Sequence, residues 1–323
     1  LIYVIISMET KAHVFVDYRH IWPQEPIPSA VDSLPCSHIF TFVNLLEAQY
    51  FAKNDQQFQA ISKEDMFQLN MLHSKKIVSK QSIVNHPLQF IFNYNPILNE
   101  EVNYIGQHLQ LVKKNGLRLQ NAPSPILASE ENHRDWQEAV AKYQQGWSQL
   151  KQDDANAPRD KSWFHYNSLR KKMKKHYVQQ SMVYFEQQEN KGSYKSERKE
   201  LKRFAKSLKY KRISFLNSDE YYKMQIVIKY LRCQPLSAHI RRPLDEHSEI
   251  FMIFKDTQQQ SQNILLIGYD PWKKKMMIRP QGKNTMYLYA PALMKLTESI
   301  DLLYKKHSRI KHCNKDNNTM GIV

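Results

Sequence analysis

Glycine is the residue this chain most lacks: seven occur in 323 positions, at 106, 116, 146, 192, 268, 282 and 321. No two of them lie within five residues of each other. A loop that wraps a phosphate needs clustered glycines, because successive backbone N–H groups converge on the anion only where no Cβ intervenes. A GxGxxG dinucleotide turn and a P-loop nucleotide site are therefore excluded, and the motifs predict no cofactor. Helices and strands joined by ordinary polar turns must supply the fold.

Charge is the second constraint. Residues 159–212 hold 17 Lys or Arg against 5 Asp or Glu, which accounts for twelve of the chain's sixteen net positive charges. The remainder is close to neutral, so the excess is local. Hydrophobic residues make up 41% of the chain, with 18 Tyr and 14 Phe, enough for a substantial core. A basic excess this concentrated attracts polyanions: nucleic acid, an anionic membrane surface or an acidic protein.

The basic segment has helical periodicity. Tyr166, Leu169, Met173, Tyr177 and Tyr184 share one arc of a helical wheel, with Arg170, Lys171, Lys172, Lys174 and Lys175 around the rest. Gly192 interrupts. A second helix buries Leu201, Phe204, Ala205 and Leu208, and turns Lys199, Lys202, Arg203, Lys206 and their basic neighbours outward. Each helix needs a neighbour for its apolar stripe, so the segment is a structured platform. Arg170, Lys171, Lys174, Lys175, Lys199, Lys202, Arg203 and Lys206 are its expected polyanion-binding residues. Aromatics at 163–166 stand ready to stack on unpaired bases. The competing reading is a solvated face that only keeps the protein soluble. No helix-turn-helix, zinc-finger or RNA-recognition signature selects a particular nucleic acid.

Around this platform the chain predicts an α+β protein. Residues 1–152 read as mostly helical, 153–212 as a linker with the basic helices, and 213–323 as an α+β region that can join the N-terminal half in one unit. Residues 13–17 read as a short strand, and a proline-rich loop delivers Cys36 to a helix apolar almost all round, from Ile39 to Tyr50. Ser62, Asn99 and Ser129 begin further helices, and Lys113, Lys114, Asn115 and Gly116 end one of them. Residues 77–84 and 88–94 suggest strands. Asn217 with Glu220 suggests a capping box. Strands at 212–216, 248–254, 264–269, 276–279 and 285–289 predict an antiparallel meander. A closing helix follows, with Leu293, Leu296, Ile300, Leu303 and Tyr304 on one face.

Cys36, His247 and Asp270 form an alternative site. A thiolate nucleophile favours a helix N-terminus, where the partial positive charge lowers its pKa. His247 heads the expected strand 248–254 and Asp270 ends the expected strand 264–269. A hairpin centred between Gln258 and Gln259 would set the two opposite each other, close enough for an imidazole–carboxylate bond. The order Cys, His, Asp on a sheet that follows a helical lobe is similar to that of papain-like hydrolases, which implies a thiol hydrolase acting on peptide bonds. Against it stand a Cys36 that simply fills the core and an Asp270-Pro271 that forms an ordinary turn.

His239, Asp245, Glu246, His247 and Glu249 resemble a metal-ligand group, but HExxH is absent and Arg241 and Arg242 oppose a cation, so no metal is expected. Three dispersed cysteines argue against a disulfide framework and for a reducing, cytoplasmic compartment. The apolar run 1–7 is too short for a signal-peptide core, so no conventional export signal is expected. Signal-independent delivery into another cell is compatible with the same composition.

Overall fold

The computed structural model describes residues 15–23, 27–34, 36–79, 104–120, 126–127, 129–156, 168, 184, 187, 194–255 and 260–305. Within them, β1 (Val16–Asp17) precedes four helices: α1 (Ser37–Phe51), α2 (Lys63–Ser79), α3 (Tyr104–Asn115) and α4 (Glu130–Ala155). Next come α5 (Tyr194–Glu197), α6 (Lys199–Lys206), β2 (Leu208–Ser214), α7 (Glu220–Leu231) and β3 (Leu236–Arg241). Then follow α8 (Phe251–Phe254), β4 (Ser261–Asp270), β5 (Lys275–Arg279), β6 (Met286–Tyr289), α9 (Ala290–Leu296) and β7 (Thr297–Lys305). Helices dominate the N-terminal half and strands the C-terminal half, an α+β architecture.

The strands make one antiparallel sheet in the order β2-β7-β3-β4-β5-β6, with β1 pairing with β4 beyond the end of β3. Each face is apolar. On one side Ile39, Phe42, Leu46, Phe67, Leu109 and Phe204 from the helices share a core with Leu265, Ile267, Met277 and Leu303 of the sheet. On the other, Leu236, Ala238, Ile240, Leu266, Ile278 and Ile300 pack with Val227, Leu231, Leu293 and Met294 from α7 and α9. The helical N-terminal region and the C-terminal sheet are thus bound through a common core.

Local chemistry sets the helix ends. The Ser62 hydroxyl accepts the Asp65 N–H at 3.1 Å, and Ser129 accepts that of Asn132 at 3.1 Å. At the end of α3, Gly116 takes φ +81° and donates its N–H to the Val112 carbonyl at 2.7 Å, a glycine C-cap.

Several expectations are corrected. Asn217 is a turn residue with φ +59°, and Asp219 caps α7 by accepting the Tyr222 N–H at 2.8 Å. Residues 77–79 finish α2 as helix, while the rest of the strands expected at 77–84 and 88–94 lies outside the described residues. No strand covers 248–254; α8 occupies Phe251–Phe254. The partner of β4 is β3, in a register that pairs Leu236 with Leu266 and Arg241 with Ser261. The closing helix stops at Leu296, and residues 297–305 instead form β7, which pairs with both β2 and β3. Buried Lys223 marks that switch, donating to the carbonyls of Met294 at 3.1 Å and Thr297 at 2.8 Å. Cys36 is a free thiol and Cys233 is disulfide-bonded, which with three cysteines in the chain allows one bridge and no framework.

Candidate polyanion-binding surface

The basic helix α6 is fastened from beneath. Leu201, Phe204 and Ala205 are buried on one side of it. At helical spacing, Lys199, Lys202, Arg203 and Lys206 then fall within about 100° of circumference on the other. Lys199, Arg203 and Lys206 are exposed and Lys202 is half-buried. Such a clean division explains why the segment folds as a helix against α3 and still shows a continuous row of cations.

Arg198, at the N-cap of α6, anchors it. Its guanidinium is buried and donates through Nε to Asp65 Oδ2 at 2.9 Å and through Nη2 to Asp65 Oδ1. Asp65, wholly buried on α2, also accepts the Arg118 N–H at 3.0 Å. One carboxylate therefore ties together α2, the segment after α3 and the start of α6. Gly116 makes the approach possible, because a Cβ there would lie 2.1 Å from the Arg198 carbonyl oxygen. Lys113 and Lys114, in the last turn of α3, lie three and two residues before that contact.

Phe204 recruits further charge. The Lys53 ammonium lies 5.5 Å and that of Lys305 5.6 Å from its ring centroid, distances at which ring and cation attract. Lys53 also sits 5.2 Å from the ring of Tyr50, whose hydroxyl bonds Glu200. Cations from the end of α1, from α6 and from β7 are thereby collected around one helix. The sequence singled out the α6 cations. It missed Lys53, Lys305 and the Asp65–Arg198 anchor, because those partners lie far apart in the chain and leave no local pattern.

Lys199 occupies the first helical position, where the macrodipole already presents partial positive charge. Helix stability alone disfavours a cation there, by roughly a few tenths of a kcal/mol. Arg170, Lys171, Lys174 and Lys175 lie outside the described residues. Within the first basic segment, Ser168, Tyr184 and Gln187 are helical, and Tyr184 packs on the N-terminal core as its place on the apolar arc predicts.

The alternative trio is not brought together. Cys36 is fully buried; its thiol donates to the Val31 carbonyl at 3.6 Å and receives Gln281 Nε2 at 3.8 Å. Burial pushes that thiol well above its ordinary pKa, overriding the helix N-terminus. His247 is exposed in a turn, where its N–H bonds Asp245 Oδ1 at 2.9 Å. Asp270 accepts the Trp272 N–H at 3.0 Å and the Lys273 N–H at 3.1 Å, the ordinary turn of the competing reading. The chain runs on to His247 from the Arg241–Ser261 end of the β3–β4 pair, whereas Asp270 ends β4 nine residues away. That separation is about 30 Å along an extended strand.

A second polar cluster lies between α1 and the sheet. Glu47 accepts Trp22 Nε1 at 3.0 Å and the Ile61 N–H at 2.9 Å, and burial raises its pKa. The cavity beside it, lined by Trp22, Asn44, Lys63 and Arg279 among others, measures only ≈ 20 Å³. That is room for about one water and not for a substrate. Among the described residues, no group of three or more His, Cys, Asp or Glu is placed to hold a metal ion, and no helix is long and apolar enough to cross a membrane. His239 instead bonds Asn263 at 3.3 Å and faces Glu298 at 3.5 Å.

Comparison with protein-family models and with curated proteins finds no match for the chain.

Proposed function

We propose that the protein is a non-enzymatic binding or adaptor protein that engages a phosphate-bearing polyanion, a nucleic acid or an anionic membrane surface, through the outer face of α6. The observation that carries this reading is the row Lys199, Lys202, Arg203 and Lys206 on a helix whose inner face is locked to the body by Arg198, Leu201 and Phe204. Fixed cations neutralise phosphates without the ordering cost a loose basic tail would meet. The buried Cys36 thiol and the distance of His247 from Asp270 along the fold leave the thiol-hydrolase alternative without a supporting observation.

The test is titration of the full chain with labelled single- and double-stranded oligonucleotides and with anionic vesicles at two salt concentrations. Binding to at least one is expected to weaken steeply with salt. Lys199→Ala, Arg203→Ala and Lys206→Ala together should reduce the nucleic-acid salt slope by roughly one for each phosphate no longer neutralised. Absence of salt-sensitive binding to every ligand, or a triple variant that binds like the parent, sinks the proposal.

A further inference from the structure

At the opposite lateral edge of the sheet the helical layer ends and leaves aromatic side chains in solvent. Phe15, Trp272, Tyr287 and Tyr289 are 45%, 72%, 40% and 48% exposed. Register places them together. Asp17, Gly268, Met277 and Tyr287 form one row across β1, β4, β5 and β6. The next row carries Asp270, Lys275 and Tyr289, with Phe15 extending β1 beside it. Trp272 caps this end from the β4–β5 turn, its ring centroid 6.2 Å from that of Phe15.

Three features separate this face from a chance exposure of rings. Arg19 lies across the first row: Asp17 holds it through Nε at 2.9 Å, and Nη1 donates to the Tyr287 hydroxyl at 2.9 Å. A half-exposed guanidinium is thus held between the Asp17 carboxylate and the Tyr287 hydroxyl. The turn that presents Trp272 is rigid, built on Pro271 and two N–H bonds to Asp270. Finally, Lys274 in that turn adopts φ +51°, a left-handed conformation that glycine or asparagine would take more cheaply. Lys273, Lys274 and Lys275 therefore follow the exposed Trp272 directly, while Asp17 and Asp270 are already engaged.

We infer that this β1–β4–β5–β6 face binds single-stranded nucleic acid, with bases stacking on Trp272, Tyr287 and Tyr289, Arg19 holding the Tyr287 hydroxyl, and phosphates drawn by the 273–275 lysines. Stacking needs unpaired bases, because a duplex keeps its ring faces inside, and every base offers a ring face, so recognition is tolerant of sequence. Tyr287 and Tyr289, two residues apart on one strand, project to the same face from backbone positions about 6.7 Å apart. The surface is distinct from α6 and does not depend on it.

The experiment compares the full chain's affinity for an oligo-dT strand with that for an abasic strand of equal length, which keeps the phosphates and lacks the bases. The parent is expected to prefer oligo-dT. Trp272→Ala with Tyr289→Ala should cut oligo-dT affinity at least about fivefold per ring and leave the abasic strand unaffected. Tyr287→Phe, which keeps the ring and removes the Arg19 bond, should weaken binding less. The α6 triple variant should lose salt-dependent affinity but keep the oligo-dT preference, so failure of one surface is distinguishable from failure of the other. Equal affinity for the two strands overturns the inference. So do ring variants that bind oligo-dT like the parent, vesicle binding through Trp272 that oligo-dT cannot displace, and concentration-dependent self-association that shields Tyr287 and Tyr289.

Discussion

Asp65 shows how much rests on single side chains here. Its carboxylate meets Arg198 and the Arg118 backbone in a site closed to water. Asp65→Ala removes the carboxylate that the Arg198 and Arg118 guanidinium groups share in this buried site, which should cost about 3–5 kcal/mol. A urea titration would show this as a lowered midpoint, with Lys199→Ala close to neutral for comparison. Gly116→Ala adds both a positive-φ penalty and a clash with the Arg198 carbonyl, and should cost more than roughly 1 kcal/mol. The histidines of the helical core set a pH limit. His38 and His108 stack at 5.3 Å beside Phe42, with His73 nearby; burial lowers the His38 pKa to about 3 and that of His108 well below its ordinary value. A base with a depressed folded pKa binds fewer protons folded than unfolded. Its contribution is therefore intact above about pH 6.5 and is lost on acidification, at up to about 1.4 kcal/mol per pH unit for each group. Buried Glu47 and Asp301 and half-buried Asp32, with raised pKa values, act in the opposite sense in the carboxylate range. Comparison of the parent with His108→Phe by chemical denaturation at pH 7.5 and 5.5 isolates the imidazole, and the variant should lose less stability.

Elements divide by whether their burial is one-sided. The amphipathic α6 and the end of α3 at Gly116 follow from their residues, because a helix with one buried stripe or a glycine cap carries its own signature, and α1, buried on all sides, is marked by its length and unbroken apolar run. The segment from 290 to 305 does not. Leu293, Leu296, Ile300 and Leu303 repeat at helical spacing, yet the second half is a strand paired on both sides. Ile300 and Leu302 join one core and Leu303 the other, so two-sided burial erases the alternation that marks a strand. A synthetic peptide covering 290–305 should accordingly show helical and not β circular dichroism in helix-promoting solvent. In the folded protein Ile300→Ala should cost about 2–5 kcal/mol, read by thermal or urea unfolding. The catalytic trio fails for a related reason. Only a strand at 248–254 would set His247 opposite Asp270, whereas β3, whose Leu236, Ala238 and Ile240 alternate with polar residues, is the strand that pairs with β4.

Across the molecule, the two proposed surfaces sit at opposite lateral edges of the sheet. α6 leads into β2, and the aromatic face is built on β5 and β6. Five strand spacings separate β2 from β6, about 24 Å. A single strand long enough to bridge them, roughly seven nucleotides or more at duplex rise, gains affinity from effective concentration. Affinity for oligo-dT should therefore climb steeply with length in the parent, and only gently when either surface is altered.

Composition and local pattern by themselves determined that no clustered-glycine phosphate loop exists, that the charge is concentrated in one segment, and that α6 would turn its cations outward. Those properties depend on neighbours a few residues away along the chain. Only the tertiary structure decided that Asp65 would hold Arg198, that Lys53 and Lys305 would meet on Phe204, and that residues 297–305 would enter the sheet between β2 and β3. It alone also assembled Arg19, Trp272, Tyr287 and Tyr289 into one face. The physical reason is common to all of these: each joins groups whose spacing in sequence is arbitrary, and their contact is fixed by strand register and by the shape of a shared core.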